Sequence, residues 1–371
     1  MTRQETRKFA GLFALGVVAA VATIAVMLIL PHDRYIRWQA LHTEAYARLG
    51  WAYERIHDDP TPLDVAFIGT SHTLNGVDAA AVDKALAAEG AHTPDGRCVV
   101  VTNFAIPEYG RNLHWILARE LLRSRKVNTL VLEVFENETR KAHPLFSHVA
   151  DERDIFGAPL LVNVGYLPDA VRLPYRQLSL WFESLFPEDF GLRRRFDPRN
   201  YDGSTVDNTR VVNARGIALT PPRDKIEALD ALKAEARSNA RKKNLHMMGA
   251  RFERYEYAVP RTYVNDILEL ARQRGTKLVF LYLPGYGQPA QPVDMRLYEG
   301  HEMLSANDIL ARTDYWYDLH HLNVAGASVL SQRLGQLLAP EWKTGAQHPG
   351  NVACNYGFPP RQALLPFSKD R

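Results

Sequence analysis

The sequence predicts an α/β fold, a parallel sheet covered by helices on both faces, behind one N-terminal membrane-spanning helix and interrupted by one large insertion. Three observations lead there. Short apolar runs recur at 64–68, 98–104, 129–134 and 277–283, as expected of strands buried on both faces. Helical patterns at 78–89, 113–123 and 264–274 alternate with them, the arrangement of βαβ units. Residues 9–30 contain no charged side chain and are long enough to cross a hydrocarbon core of about 30 Å as a helix.

The elements follow in order. Arg3, Arg7 and Lys8 precede the apolar stretch, which places the N-terminus inside and the rest of the chain outside under the positive-inside tendency. A cleavable signal peptide is the competing reading, but Ile29-Leu30-Pro31-His32-Asp33 offers no small-residue cleavage site. Residues 1–31 are therefore read as cytoplasmic end and anchor. Residues 32–61 form a juxtamembrane stalk, with Trp38, Leu41, Ala45, Leu49 and Tyr53 at helical spacing. The α/β domain is assigned to 62–342, and an irregular Pro-containing tail to 343–371.

Within the domain, strand 64–68 runs into Gly69, and helix 78–89 is closed by Gly90. The insertion covers about 138–260. It contains Arg193-Arg194-Arg195 and a helical pattern over 223–245, on which Ile226, Leu229, Leu232, Ala236 and Ala240 share one face. A cap that shapes a substrate pocket and a solvated amphipathic helix both fit this segment. The last helix is placed at 325–338.

Composition narrows the function. A formal net charge of +3 is too small for a nucleic-acid partner, and no basic-aromatic recognition motif is present. Cys98 and Cys354 are the two cysteines. They fit an oxidising compartment, where a pair would tie the C-terminal tail to the beginning of a core strand; two unpaired thiols are the alternative, and the sequence leaves both open.

The chemistry lies at two places far apart in the chain. Phe67-Ile68-Gly69-Thr70-Ser71-His72 puts Ser71 just beyond a strand end, where parallel α/β sheets bind ligands. A serine there is also an ordinary turn former or helix cap. Asp318-Leu319-His320-His321-Leu322-Asn323 supplies the other half: His321 as base for Ser71, and Asp318 three residues earlier to orient its ring. A satisfied structural histidine is the plainer alternative. His320, the immediate neighbour, is the natural control. Oxyanion donors are sought in the Ser71 amide, in the side chain of Asn137 after strand 129–134, and in backbone N–H groups from Glu108 to Gly110. No cofactor is implied and no metal-ligand spacing is convincing. Asp318 with His320 and His321 is the arrangement a metal-dependent deacetylase would have to use.

Together these segments resemble the SGNH, or GDSL-like, hydrolase superfamily. Residues 67–72 match its nucleophile block, 132–137 its asparagine block, and 318–323 with Gly326 its Asp-x-x-His block. Thr70 stands where the named motif has aspartate, and Glu108 falls near the glycine of the second block. Glu136 and Glu138 flank Asn137. The resemblance implies a three-layer, flavodoxin-like fold and Ser-His-Asp acyl-ester chemistry. With one N-terminal anchor, the chain looks similar to proteins that modify bacterial cell-surface glycans. That likeness implies a single-pass protein of the inner membrane with its domain in the periplasm. It also implies a polysaccharide substrate and, as partner, a multi-spanning membrane-bound O-acyltransferase. The alternative is a non-catalytic component of a glycan assembly that binds polymer or partner through the insertion.

Overall fold

A computed structural model describes residues 2–39, 48–135, 142–157, 165–196, 224–241, 250–252, 255, 258–292, 295 and 298–343. Five parallel strands, β1 (Val65–Ile68), β2 (Val101–Asn103), β3 (Thr129–Val134), β4 (Lys277–Tyr282) and β5 (Met303–Leu304), form one sheet in the order β2-β1-β3-β4-β5. The described helices begin with α1 (Arg3–Leu28), α2 (Arg34–Gln39), α3 (Arg48–His57), α4 (Ser71–Gly76), α5 (Ala79–Ala88) and α6 (Arg111–Ser124). Within the insertion come α7 (Phe146–Val149), α8 (Glu152–Gly157), α9 (Tyr166–Leu185) and α10 (Leu229–Arg241). Helices α11 (Ala258–Arg274), α12 (Asn307–Leu310) and α13 (Val324–Leu338) complete the domain.

The alternation of each strand sorts its side chains into two cores. Ala66, Ile68, Leu130, Leu132, Leu278 and Phe280 point to one face, where Ile116 and Leu117 of α6 and Val264 and Ile267 of α11 cover them. Val65, Phe67, Val131, Val279 and Leu281 point to the other, against Val82 and Leu86 of α5 and Leu330 and Leu334 of α13. Burial on both sides explains why the strands read as apolar runs without alternation in sequence. The chain leaves β1 for β2 on one side and returns to β3 on the other. A reversal of strand order of this kind opens a crevice at the carboxyl ends of the strands.

Several boundaries differ from the sequence reading. The run 98–104 yields a three-residue strand, because Cys98 turns back to bridge His92 and the Val100 amide is taken by the Asp64 carboxylate (2.9 Å). The expected 223–245 helix starts at Leu229: the Glu227 amide is drawn to the Trp316 carbonyl (2.9 Å), and the Glu227 side chain accepts from Ala228 N. Ile226 therefore precedes the helix and stands 61% exposed, while Leu232 is buried. Residues 223 and 242–245 lie outside the described residues. The stalk divides into α2 and α3, with Leu41 and Ala45 outside the described residues. Trp38, Leu49, Ala52 and Ile56 pack into the core beneath α6. Strand β5 was not expected; two residues carry no periodic signal.

Helix α1 opens with a capping box between Thr2 and Glu5. It is long and apolar enough to cross a membrane, with a mean hydropathy of 2.5 and no residue buried in the domain. Cys98 is disulfide-bonded; Cys354, the other cysteine, lies outside the described residues.

Candidate active site

The β1–α4 turn is built around a buried acid. A Cβ on Gly69 would lie 2.3 Å from Glu133 Oε2 and 2.3 Å from Thr73 Oγ1, so no larger residue fits. Glu133, in β3, is 1% exposed. It accepts hydrogen bonds from Thr70 N (2.7 Å), Thr70 Oγ1 (2.8 Å), Thr73 N (3.2 Å) and Thr73 Oγ1. Thr70 also caps α4 by accepting from His72 N (3.2 Å). Asn103, at the end of β2, donates to the carbonyls of Thr73 (3.1 Å) and Val77 (2.8 Å). Among the described residues the Ser71 amide has no such partner, and it sits at the mouth of the crevice beside its own hydroxyl.

The second half arrives from the loop before α13. His321 Nδ1 donates to Asp318 Oδ2 (2.8 Å) and Oδ1 (3.0 Å), and Nε2 accepts from Ser71 Oγ (2.8 Å). A carboxylate can only accept, which fixes the proton on Nδ1 and leaves Nε2 facing the hydroxyl as a base. Asp318 Oδ1 also accepts the amides of His320 and His321 (both 2.8 Å). Burial pushes the Asp318 carboxyl up, but the His321 bond and charge and the two amides together outweigh it, leaving the pKa at about 2.

The residues that follow keep this loop in place. Asn323 caps α13 by accepting from Gly326 N (2.9 Å) and donates to Asp314 O (2.8 Å). A Cβ on Gly326 would meet Tyr315 O at 2.6 Å. Asn323 and Gly326 are thus the scaffold of the histidine loop.

Around the triad stand residues the sequence did not single out. His72 Nδ1 donates to Leu283 O (2.9 Å), so its Nε2 faces the Tyr109 hydroxyl at 3.4 Å as an acceptor. Burial, followed by the nearby charges of Glu133 and Glu108, pushes the Tyr109 phenol up to about 12, which keeps it a donor. Tyr109 packs edge-on against Phe135 (5.3 Å between ring centres), and the Arg111 guanidinium lies 4.2 Å over the same Phe135 ring. His320 turns its ring away from Ser71, towards Asn239 of α10 (3.4 Å) and Gly285. The insertion therefore borders the site through α10.

The oxyanion candidates fare unequally. Glu108 adopts φ 75°, a left-handed conformation rare for a non-glycine residue. A Cβ on Gly110 would lie 2.3 Å from His143 Cβ. His143 donates from Nε2 to Pro107 O (2.7 Å) and accepts Leu145 N at Nδ1 (3.0 Å). Burial lowers its pKa to about 4 against a smaller opposing effect of the Pro107 bond. The loop 107–110 is thus clamped from the insertion side. Asn137 lies outside the described residues, as do Glu136 and Glu138. Among the described residues no group of three or more His, Cys, Asp or Glu is placed to hold a metal ion.

Glu133 had a visible signal in the sequence, a lone acid within an apolar strand. His72, Tyr109 and His143 had none, because their positions depend on three separate loops meeting. No protein-family model matches the chain, and no curated protein matches it.

Proposed function

We propose that the chain is a membrane-anchored serine acyltransferase or esterase of SGNH type acting on a cell-surface polysaccharide. The observation that carries the reading is the continuous path from Asp318 through His321 to Ser71 Oγ, each step 2.8 Å, across 250 positions of chain. The sheet order 2-1-3-4-5, with the serine at its switch point, supports the flavodoxin-like form of the fold. Helix α1 supports anchorage. The periplasmic placement, the polysaccharide and the membrane-bound O-acyltransferase partner follow from the family resemblance.

In this mechanism Ser71 Oγ attacks the acyl carbonyl while its proton passes to His321 Nε2. The Ser71 amide stabilises the oxyanion, with Asn137 and a backbone N–H between Glu108 and Gly110 as further donors. His321 returns the proton to the departing alcohol or thiol, leaving an acyl ester on Ser71. A sugar hydroxyl, or water, then gives its proton to His321 and attacks the ester, and Ser71 recovers its proton as it leaves. Asp318 holds the imidazole and balances its charge throughout.

The test is to incubate the full chain in detergent with p-nitrophenyl acetate and locate the acetyl group by mass spectrometry. An acetyl ester on Ser71, discharged faster when a surface-type oligosaccharide is added, is the expected result. Discharge that ignores the sugar makes the protein an esterase. No acetyl on Ser71 removes the proposal in favour of a binding component.

A further inference from the structure

Helix α9 is turned inside out relative to a water-facing helix. Asp169, Leu173, Gln177, Leu180 and Glu183 are buried against the domain. Its exposed face carries Leu167, Val171, Tyr175, Phe182 and Leu185, between 44% and 72% exposed; exposed Phe186 and Phe190 follow the helix end, with exposed Glu188 and Asp189 between them. Arg172 is the one charged residue among the exposed positions of α9. A soluble surface helix places its charges on this side, and a contiguous apolar stripe of this kind marks an interface.

The neighbour of the stripe identifies what covers it. Helix α9 packs against α1, and Ser184 Oγ accepts the amide of Asp33 (2.9 Å) just beyond the end of α1. If α1 crosses the bilayer, the point where it leaves the hydrocarbon is the point where α9 is fastened to it. Aromatic side chains are concentrated there, as at a membrane–water boundary: Tyr175, Trp181, Phe182, Phe186 and Phe190. A 20-residue helix spreads such a stripe over about 30 Å, a long shallow face suited to a fluid surface more than to one pocket of a partner.

We infer that α9 is a second membrane contact, an interfacial helix whose Leu167, Val171, Tyr175, Phe182 and Leu185 side chains embed in the lipid beside α1. The inference rests on α1 as a membrane span and is independent of the chemistry at Ser71. Two contacts in place of one stop the domain from turning freely about its anchor and give the crevice a fixed attitude to the membrane.

The experiment uses the full chain in lipid nanodiscs with a nitroxide at Val171→Cys, Tyr175→Cys or Phe182→Cys. Val18→Cys in α1 serves as lipid reference and Lys84→Cys on α5 as aqueous reference. Cys98 is disulfide-bonded and takes no label. Because the α9 sites are exposed, each variant should melt as the unsubstituted protein does. Power saturation should give an oxygen-to-nickel-chelate accessibility ratio at the α9 sites several-fold above that at Lys84 and close to that at Val18. Ratios at all three sites matching Lys84, with Val18 in lipid, would overturn the inference and leave the stripe to a protein partner. An aqueous ratio at Val18 would overturn it by removing the span. Neither outcome bears on the acyl-serine test.

Discussion

The two ends of the parallel sheet use similar polar residues to opposite effect. At the amino ends of the strands the charges close on other groups: Arg97 grips Asp64 through two nitrogens (2.5 and 2.7 Å), Arg125 donates to the carbonyls of Asp59 and Thr61 (both 2.5 Å), and Lys277 reaches Glu302 (2.6 Å) and Glu341. At the carboxyl ends the partners are arranged so that selected atoms stay available. Glu133 engages the amides and hydroxyls of Thr70 and Thr73 but leaves Ser71 open, and Asp318 engages one side of His321 and leaves Nε2 for the serine. Saturation holds a fold together. Orientation with one site left open is what chemistry at a strand end requires.

The contrast is broken most sharply at the open end. Ser71→Ala and His321→Ala should each lower the turnover of p-nitrophenyl acetate by roughly 10⁴-fold or more, and Asp318→Asn by about 10²- to 10⁴-fold through loss of the ring's orientation, all with little change in thermal melting. Retained turnover in Ser71→Ala would remove the distinction between the two ends.

Glu133→Gln sharpens the comparison, because Glu133 belongs to both categories. It places an amide NH₂ among four donors, at a cost of about 1–3 kcal/mol, and it should also lower turnover per folded molecule by loosening the Ser71 turn. Arg97→Ala at the far end leaves buried Asp64 short of a partner, at a similar cost of about 1–3 kcal/mol, and turnover per folded molecule should not change. Urea denaturation and active-site titration on both variants separate the two effects.

Acid should act on buried histidines, His143 behind the site and His32 at the end of the anchor, before it acts on Asp318. Burial holds His143 at about 4, and His32 likewise at about 4, below the value of about 6.5 expected in the unfolded chain. The unfolded chain thus binds more protons, so the stability these residues contribute is complete above pH ~6.5 and is lost as the pH falls through about 4. Asp318, depressed to about 2, loses its contribution only below the range of an ordinary carboxyl, near pH 4. Thermal melts between pH 7 and pH 4 should fall more steeply in the wild type than in His143→Gln. The smallest effect is expected from Glu108→Gly, where relief of a left-handed φ, worth on the order of 1 kcal/mol, is partly offset by the freer unfolded chain. Its melting temperature should be unchanged or slightly raised.

How far the sequence could be read depended on how local the cause was. Strands β1, β3 and β4 were legible because both of their faces are buried and their runs are apolar but for Glu133 in β3 and Lys277 at the start of β4. Strand β5 was not, since its two residues pair only after β4 and the loop to Glu302 are in place. The expected helix at 223–245 failed at its start, where Trp316, some ninety positions away, captures the Glu227 amide. In the site, Asp318 and His321 were legible because three residues separate carboxylate and ring, and Ser71 because a glycine ends the strand before it. The clamp of His143 on Gly110 and the contact of α10 with His320 join distant loops, and no spacing in the sequence records them.

The measurement that tests the central claim most directly is labelling of the full chain by a fluorophosphonate, with the adduct mapped by mass spectrometry in the wild type and in His321→Ala and His320→Ala. The account predicts modification of Ser71 that persists in His320→Ala and disappears in His321→Ala. A folded protein in which Ser71 takes no label, or takes it regardless of His321, would contradict it.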